Sequence, residues 1–354
     1  MKTVLHITEA FGGGIQTALC SYAKSTEGDP IRHLLLARLR PQDDTGLAIK
    51  NLFDEVETVD GGLLHFYRCA RKAVLQHKPD VIHLHSSFAG FLCRFLPKGD
   101  AKLVYTPHCY AFERRDIPDW KQEVYMRLET FGLSRIDVIA GCSERECQLG
   151  LELGAKRAVH LNNYAELSPE LMADSQAPVQ DSDENAESPR TKVVIVGRVS
   201  PQKDPEFLLE TIDHLRSFPE FNHIQLQWLG GGDQDKEQEL RAAGVDVTGM
   251  IPHHVLMKTL KDADLYLHTA AWEGMPLTLL EAARLKVPMV LRIIGATQSL
   301  HYPFLVSTPD AMAQQIVEYC RHPQHPDYQS SLVSINEAFS AEKQRSALIE
   351  IYGS

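Results

Sequence analysis

Two carboxylates eight positions apart could grip a polyol. Residues 264–283 read DLYLHTAAWEGMPLTLLEAA. Asp264–His268 is a short apolar run with polar flanks, which predicts a buried strand. Thr269–Gly274 predicts a turn, and Pro276 suits the first position of a helix, where its missing N–H costs nothing. Leu277, Leu280 and Leu285 give that helix an apolar stripe. Glu273 falls in the loop. Glu281 lies about one and a half turns into the helix, at ~1.5 Å per residue. In open α/β sheets ligands sit at strand C-termini, and a helix N-terminus there offers N–H groups to an anion. Two acceptors held this way can bind the vicinal hydroxyls of a sugar or ribose. Taken alone, the same two carboxylates read more readily as a loop Glu and a helix Glu facing solvent.

A second pattern supplies positive charge. Gly197-Arg198-Val199-Ser200-Pro201-Gln202-Lys203-Asp204 lies between a predicted strand and a predicted helix. An Arg fork and a Lys point charge on one loop can clamp a diphosphate, or can form a solvated basic loop. Metal-ligating types also occur. His83 and His85 alternate on a predicted strand and so face one side, where His108 or Cys109 would complete a zinc set. Asp262-Ala263-Asp264 and Asp181-Ser182-Asp183 match D-x-D, but neither converges with a phosphate site.

The larger pattern resembles glycosyltransferase family 4 (group 1), the retaining GT-B enzymes. It rests on Ala263-Asp264-Leu265, then Glu273-Gly274-Met275-Pro276, then Leu280-Glu281-Ala282, a Glu–seven residues–Glu signature. The resemblance implies that Arg198 and Lys203 match the family's GR-x-x-x-x-K and meet the donor diphosphate, with Gly197 before them. Charge on the leaving nucleotide would then be neutralised as it grows. It carries over Gly13 and Gly14 of Gly12-Gly13-Gly14 as the first glycine loop, with Gln16 on the acceptor side. Gly231 in Gly230-Gly231-Gly232-Asp233 and Ile251 in Val247-Thr248-Gly249-Met250-Ile251 take donor-binding places, as do Gly274, Met275, Pro276, Leu277 and Glu281. His108, ending a strand in TPHCY, takes the place of a histidine facing the transferred sugar, and His85 an acceptor-side place. The family has no metal on this strand, so no essential metal and no cofactor are expected. One departure follows Pro288-Met289-Val290, where RIIGATQSL replaces the usual glycine-and-acid segment.

What the resemblance implies is transfer of a hexose-type sugar, with anomeric retention, from a nucleotide-diphosphate donor to a hydroxyl of a glycan or lipid-linked acceptor. The setting would be cell-surface polysaccharide biosynthesis. Two rival readings use the same fold: a binding or scaffold protein without turnover, and a nucleotide-sugar epimerase that needs no acceptor.

The elements that must position these residues alternate. Strand and helix patterns succeed one another from VLHIT at residues 3–7 to Val159–Leu161, and again from Lys192 to Arg292. Alternation predicts parallel sheets covered by helices. The fold expected is therefore α/β, and the resemblance implies its GT-B form: two Rossmann-like domains facing across a cleft, with the C-terminal helix crossing back to the first. Residues 1–165 form the acceptor domain, joined by a returning helix at 339–354, and residues 191–338 the donor domain. Residues 166–190, acidic and rich in Ser, Pro and Ala, read as a mobile linker.

Composition bounds the setting. A length of 354 residues suits two domains, and a net charge of −11 argues against a general nucleic-acid binder. Seven cysteines without a CxxC suit a reducing cytoplasm rather than a disulfide framework, and the first apolar run is too short for a signal-peptide core. Charge is uneven. Residues 1–165 carry 21 Lys+Arg against 20 Asp+Glu, about +1; the remainder, 36 − 21 = 15 against 47 − 20 = 27, is about −12. Arg68, Arg71, Lys72 and Lys78 lie along one predicted helix, and Arg114, Arg115, Trp120 and Lys121 follow His108. That mix suits peripheral contact with the cytoplasmic face of an anionic membrane. Oligomeric state is not legible.

Overall fold

The computed structural model describes residues 1–38, 49–168, 170–171 and 190–353. It divides into two compact units: Met1–Tyr164 with Glu273–Met275 and Ala338–Ser354, and Ala165–Trp272 with Pro276–Glu337.

The first unit is built on one parallel sheet. Its strands are β1 (Lys2–Thr8), β2 (Ile31–Arg38), β3 (Glu55–Val59), β4 (Val81–His85), β5 (Lys102–Thr106), β6 (Val138–Gly141) and β7 (Ala158–His160). Their order is β3-β2-β1-β4-β5-β6-β7. The chain winds outward both ways from β1, so the order reverses between β1 and β4, the switch point at which ligands gather in such sheets. The strands are near-continuous apolar runs because helices cover both faces. Histidines interrupt them: His6, His33, His83 and His85 are all buried. The helices are α1 (Gly13–Ser25), α2 (Leu63–His77), α3 (Ser87–Leu92), α4 (Asp119–Thr130) and α5 (Glu144–Glu152).

The second unit repeats the plan. β8 (Thr191–Val196), β9 (Ile224–Leu229), β10 (Asp246–Val247), β11 (Leu265–His268), β12 (Met289–Arg292) and β13 (Leu305–Val306) pair in parallel as β10-β9-β8-β11-β12-β13. Between them run α6 (Pro205–Leu215), α7 (Gln234–Ala242), α8 (His253–Lys261), α9 (Leu277–Arg284) and the short α10 (Gly295–Gln298), followed by α11 (Pro309–Arg321) and α12 (Pro326–Ala338). Trp228, Leu208, Ile212, Leu267 and Met312 are among the fully buried side chains of its core. The last helix, α13 (Ala341–Gly353), belongs to the first unit. It buries Leu348, Ile351 and Tyr352 there, and Lys2 Nζ donates to Tyr352 O at 2.7 Å.

Several expectations are corrected. Glu273–Met275 cluster with the first unit rather than with residues 191–338, because Asn163 Nδ2 donates to Met275 O at 3.0 Å and Gly274 packs against Cys109 and Glu146. The second unit begins at Ala165, not after a linker from 166: Ala165 and Leu167 are buried, and Lys261 Nζ donates to Leu171 O at 3.0 Å. Residues 172–189, with Asp181-Ser182-Asp183, lie outside the described residues. Pro276 is the residue before α9, with φ −66° and ψ 119°, not its first residue. The helix buries Leu279, Leu280, Ala282 and Ala283, while Leu277 and Leu285 are half-buried, so the apolar face is turned from the predicted stripe. α1 begins at Gly13, so Gly13 and Gly14 stand in the first turn of a helix rather than in a loop ahead of it.

Candidate active site

In the second unit the chemistry lies after β8 and β11, the strands flanking its switch point. The loop Gly197–Asp204 connects β8 to α6. Gly197 has φ +141°, a backbone conformation that favours glycine, and the Lys203 stem lies where a Cβ would stand, its Cε 2.5 Å from that point, just before Arg198. The loop is anchored to its neighbours. Trp228 Nε1 donates to Gly197 O at 2.8 Å, and Val199 N–H donates to Gly231 O at 3.1 Å. Thr269 Oγ1 donates to Lys203 O at 2.6 Å, and Ala271 N–H to Gln202 O at 2.9 Å. Arg198 is exposed and Lys203 half-buried.

Asp204 ends the loop with φ +51°, and its carboxylate caps α6 by accepting from Phe207 N–H at 3.2 Å. Arg292, the last residue of β12, donates to the same carboxylate at 2.5 Å and to Thr269 O at 3.0 Å. Its guanidinium stacks 4.1 Å over the Phe207 ring. Arg292 opens the segment that departs from the family pattern, and it ties the loops after β8 and β11 together. No spacing rule pointed to that tie.

Ile251 is half-buried just ahead of α8, and Gly230 pairs with Gly249 in an isolated bridge. Glu281 is nearly buried, contrary to a solvated helix Glu, and accepts from His253 Nε2 at 3.2 Å. That hydrogen bond raises the His253 pKa above its ordinary value. Of the Asp262/Asp264 pair, Asp264 is committed: its carboxylate accepts from Lys192 N–H at 2.7 Å. A cavity of about 230 Å³, lined by Lys192, Gln225, Gln227 and Asp262, opens at the N-terminal ends of β8 and β9. It holds none of the predicted site residues, and the ligand-binding ends of such strands are the other ones.

In the first unit, Gly13 and Gly14 are exposed at the start of α1, with Gln16 half-buried behind them. His85 ends β4, and Ser86 after it, with φ +75°, donates to Glu9 at 2.9 Å. His108 follows β5. Both His108 (φ +53°) and Cys109 (φ +82°) hold left-handed backbone, a pair of conformations that side chains resist and that surroundings must enforce. Glu146 does the enforcing. Its carboxylate accepts the Cys109 N–H through one oxygen and the Cys142 N–H through the other, the latter at 2.9 Å. Ser143 caps α5, accepting from Glu146 N–H at 3.3 Å, which leaves the Glu146 side chain for Cys142 and Cys109.

Gly274 completes this arrangement. A Cβ on it would fall 2.7 Å from Cys109 N and 2.7 Å from Glu146 Oε1. The glycine of EGMP is therefore required by the His108–Cys109 turn, and Glu273 stands next to it in the same unit. Burial pushes the Glu146 carboxyl up, and pushes Glu113 up to about 7, with Glu146 adding repulsion.

The zinc set read from the sequence is rearranged. His83 and His85 do share a face, with ring centroids 4.0 Å apart, but the third ligand-type residue within reach is His6 of β1 rather than His108 or Cys109. His83 is held between Tyr352 OH and Thr106 Oγ1, each at 2.8 Å. His85 lies between His6, at 3.0 Å, and His108, at 3.2 Å. Burial holds His6, His83 and His85 far below the usual histidine range, with His33 down to about 4 and His108 to about 3.

Comparison with known proteins gives the family and the fold. Residues 190–322 match the family described as glycosyl transferases group 1, and residues 14–163 the glycosyl transferase 4-like domain. An uncharacterized 41.2 kDa protein of the Klebsiella pneumoniae cps region is 25% identical over 83% of this chain and 81% of its own length. The Escherichia coli UDP-Gal:alpha-D-GlcNAc-diphosphoundecaprenol alpha-1,3-galactosyltransferase is 24% identical over 67% of this chain; the chain spans 63% of that enzyme. Among solved structures, Anabaena HepE in complex with UDP-glucose superimposes with a TM-score of 0.75 at 16% identity, covering 100% of both chains. The likeness to such structures shows the GT-B fold.

Proposed function

The chain belongs to the group 1 glycosyltransferases of family 4, and we propose that it moves a hexose from a UDP-sugar to a hydroxyl of a lipid-linked glycan, with retention at the anomeric carbon. The observation that carries this reading is the Lys203 stem crossing Gly197 beside Arg198, two cations on one loop at the switch point of the second sheet. Such a pair suits a diphosphate, and its pull grows as negative charge collects on the departing nucleotide. The choice of UDP rests on HepE, solved in complex with UDP-glucose, and on the galactosyltransferase, whose name includes UDP-Gal, and the lipid-linked acceptor on the latter alone. Polysaccharide biosynthesis is the matching role; the Klebsiella relative lies in a cps region.

In this reading Gly13, Gly14, Gly231, Ile251, Met275, Pro276 and Leu277 supply main-chain contacts to the donor. Glu281 accepts from its hydroxyls. Glu273 and His108 face the transferred sugar, while Gln16 and His85 lie on the acceptor side. No metal is needed, so transfer is expected to survive excess EDTA. The test is a panel of UDP-hexoses with a prenyl-diphosphate-linked sugar as acceptor. UDP release that needs both substrates, with an α-linked product by NMR, supports the assignment. No release with any donor, and no donor-induced rise in melting temperature, would end it.

The first unit also offers a surface for the lipid. No helix among the described residues is long and apolar enough to cross a membrane. Helix α4, however, leaves Trp120, Val124 and Leu128 exposed at helical spacing, with Phe131 65% exposed just beyond. Lys121 flanks them, Arg127 on the same helix is paired with Glu123 at 2.5 Å, and Arg68, Arg71, Lys72 and Lys78 are exposed on and after α2. Arg114 contributes less than its sequence suggests, being paired with Asp116 at 2.6 Å. We propose that α4 lies on an anionic membrane surface. Sedimentation with anionic but not neutral vesicles, lost at high salt, is the expected result; equal absence from both pellets at low salt would contradict it.

A further inference from the structure

Thr26 and four of the first unit's histidines form one hydrogen-bonded chain through the interior of the sheet. Thr26 Oγ1 lies 2.8 Å from His33 Nε2, and His33 Nδ1 lies 2.9 Å from His6 Nε2. His6 Nδ1 lies 3.0 Å from His85 Nε2, and His85 Nδ1 lies 3.2 Å from His108 Nε2. Every ring thus meets its neighbours nitrogen to nitrogen. His83 stands beside the chain, held by its two hydroxyl partners.

A neutral imidazole carries one N–H and one lone pair. Once one ring in such a chain is oriented, all the others follow, and only two arrangements exist. Either each ring is protonated at Nε2 and the chain ends in a bare Nδ1 on His108, or each is protonated at Nδ1 and His108 ends it as a donor. Thr26 decides between them. Its hydroxyl has a single proton and lies 2.9 Å from Tyr22 O and 3.3 Å from Ala23 O, at the C-terminus of α1. The Tyr22 carbonyl can only accept, whereas an imidazole nitrogen can donate or accept, so the single hydroxyl proton goes to Tyr22 O. Thr26 therefore accepts from His33 Nε2–H. The N–H end of the whole chain points toward the negative end of α1, which the helix dipole favours as well.

We infer that Thr26, His33, His6 and His85 are positioning residues that lock His108 in its Nε2–H tautomer, so that Nδ1 presents a lone pair and accepts a hydrogen bond from a ligand hydroxyl. The tautomer stands on the hydrogen-bond chain alone. That the hydroxyl belongs to the donor sugar or the acceptor rests on the transferase reading.

The experiment is long-range proton–nitrogen NMR on protein labelled with ¹⁵N-histidine, near neutral pH, with metal content measured on the same sample. The expected pattern is Nε2–H with bare Nδ1 for His6, His33, His85 and His108. Any of the four found as Nδ1–H in the unsubstituted protein, or one metal ion per chain bound by His6, His83 and His85, overturns the inference, and neither result depends on a variant. T26V removes the acceptor and is expected to mix the tautomers and lower turnover with UDP-sugar on the order of tenfold, the worth of about one hydrogen bond, with little change in donor KM. T26S is expected to restore both. A folded T26V with the original tautomers also overturns it. Failure of transfer with the Nε2–H pattern intact would count against the transferase reading and leave the tautomers as assigned.

Discussion

The two units present their chemistry in opposite ways. In the second unit it is charged and sequence-local: Gly197, Arg198, Lys203 and Asp204 fall within eight residues, on a loop that solvent reaches. In the first it is neutral, buried and assembled from afar. His6, His33, His85 and His108 come from β1, β2, β4 and the turn after β5, and the His6–His85 contact joins residues 79 apart. A loop can place cations where water keeps them ionised. A sheet interior cannot, and burial there keeps imidazoles neutral and makes them partner one another. In the proposed reading, one unit meets charge and the other orients hydroxyls.

The largest effect that would break this contrast is on acid stability. His6, His83 and His85 titrate far below their ordinary range when folded, and His33 and His108 at about 4 and about 3. For depressed pKa values the stability is complete above the unfolded value, about 6.5, and is lost as pH falls toward the folded values, because the unfolded chain binds the protons first. Each such proton is worth about 1.4 kcal/mol per pH unit. Denaturant melts between about pH 7 and 5 should therefore drop by several kcal/mol. A flat profile would mean that the rings are not buried neutral. The second effect concerns the loop. Arg198→Ala and Lys203→Ala are each expected to cost roughly 1.5–3 kcal/mol of transition-state stabilisation, or about 10- to 200-fold in kcat/KM. Unchanged turnover in both variants would remove the diphosphate clamp.

The same contrast governs what could be read from the sequence. The strand–helix alternation and the glycine loop with its cations are local patterns, visible in runs of ten residues, whereas the return of the C-terminal helix to the first unit was expected from the family resemblance. The partners of the histidines are not. His83 and His85 signal a shared face by their spacing, but His6 and His33 join them only through the register of β1 with β2 and β4, which no spacing encodes. Thr26 shows no signal either, since its role depends on the end of α1. The place of Pro276 was missed because proline suits both the residue before a helix and its first residue. The Glu146 carboxylate serves a turn 37 residues earlier, a partner that no local pattern names.

That turn gives the third test. Glu146→Gln keeps the volume and one acceptor oxygen but turns an amide toward the second N–H. One of Cys109 N–H and Cys142 N–H is left unmet, at a cost of about 1–3 kcal/mol. The denaturant midpoint should fall with its slope unchanged. The nearby His108 signals should broaden as the left-handed pair loosens. A midpoint equal to that of the unsubstituted protein would show that packing of Gly274, rather than the carboxylate, holds the turn.

The smallest effect sharpens the comparison from the charged side. His253 donates to Glu281 at 3.2 Å, and its side chain is 70% exposed while that of Glu281 is 11% exposed. The hydrogen bond to Glu281 raises the histidine's folded pKa, so the pair stabilises the protein fully below about pH 6.5 and that contribution is lost as pH rises through the raised value. With one partner in solvent the pair is worth about 0–1 kcal/mol. The consequence for binding runs the other way. If Glu281 accepts from donor hydroxyls, protonated His253 competes for the same oxygens, and donor affinity should weaken severalfold as pH falls. His253→Ala removes the competitor and should flatten that dependence, while costing no more than about 1 kcal/mol in stability. Donor Kd for both proteins, measured by calorimetry from about pH 8 down to pH 5.5, reads the difference directly. Parallel profiles would show that Glu281 stays with His253 and leaves the donor to the main chain around it.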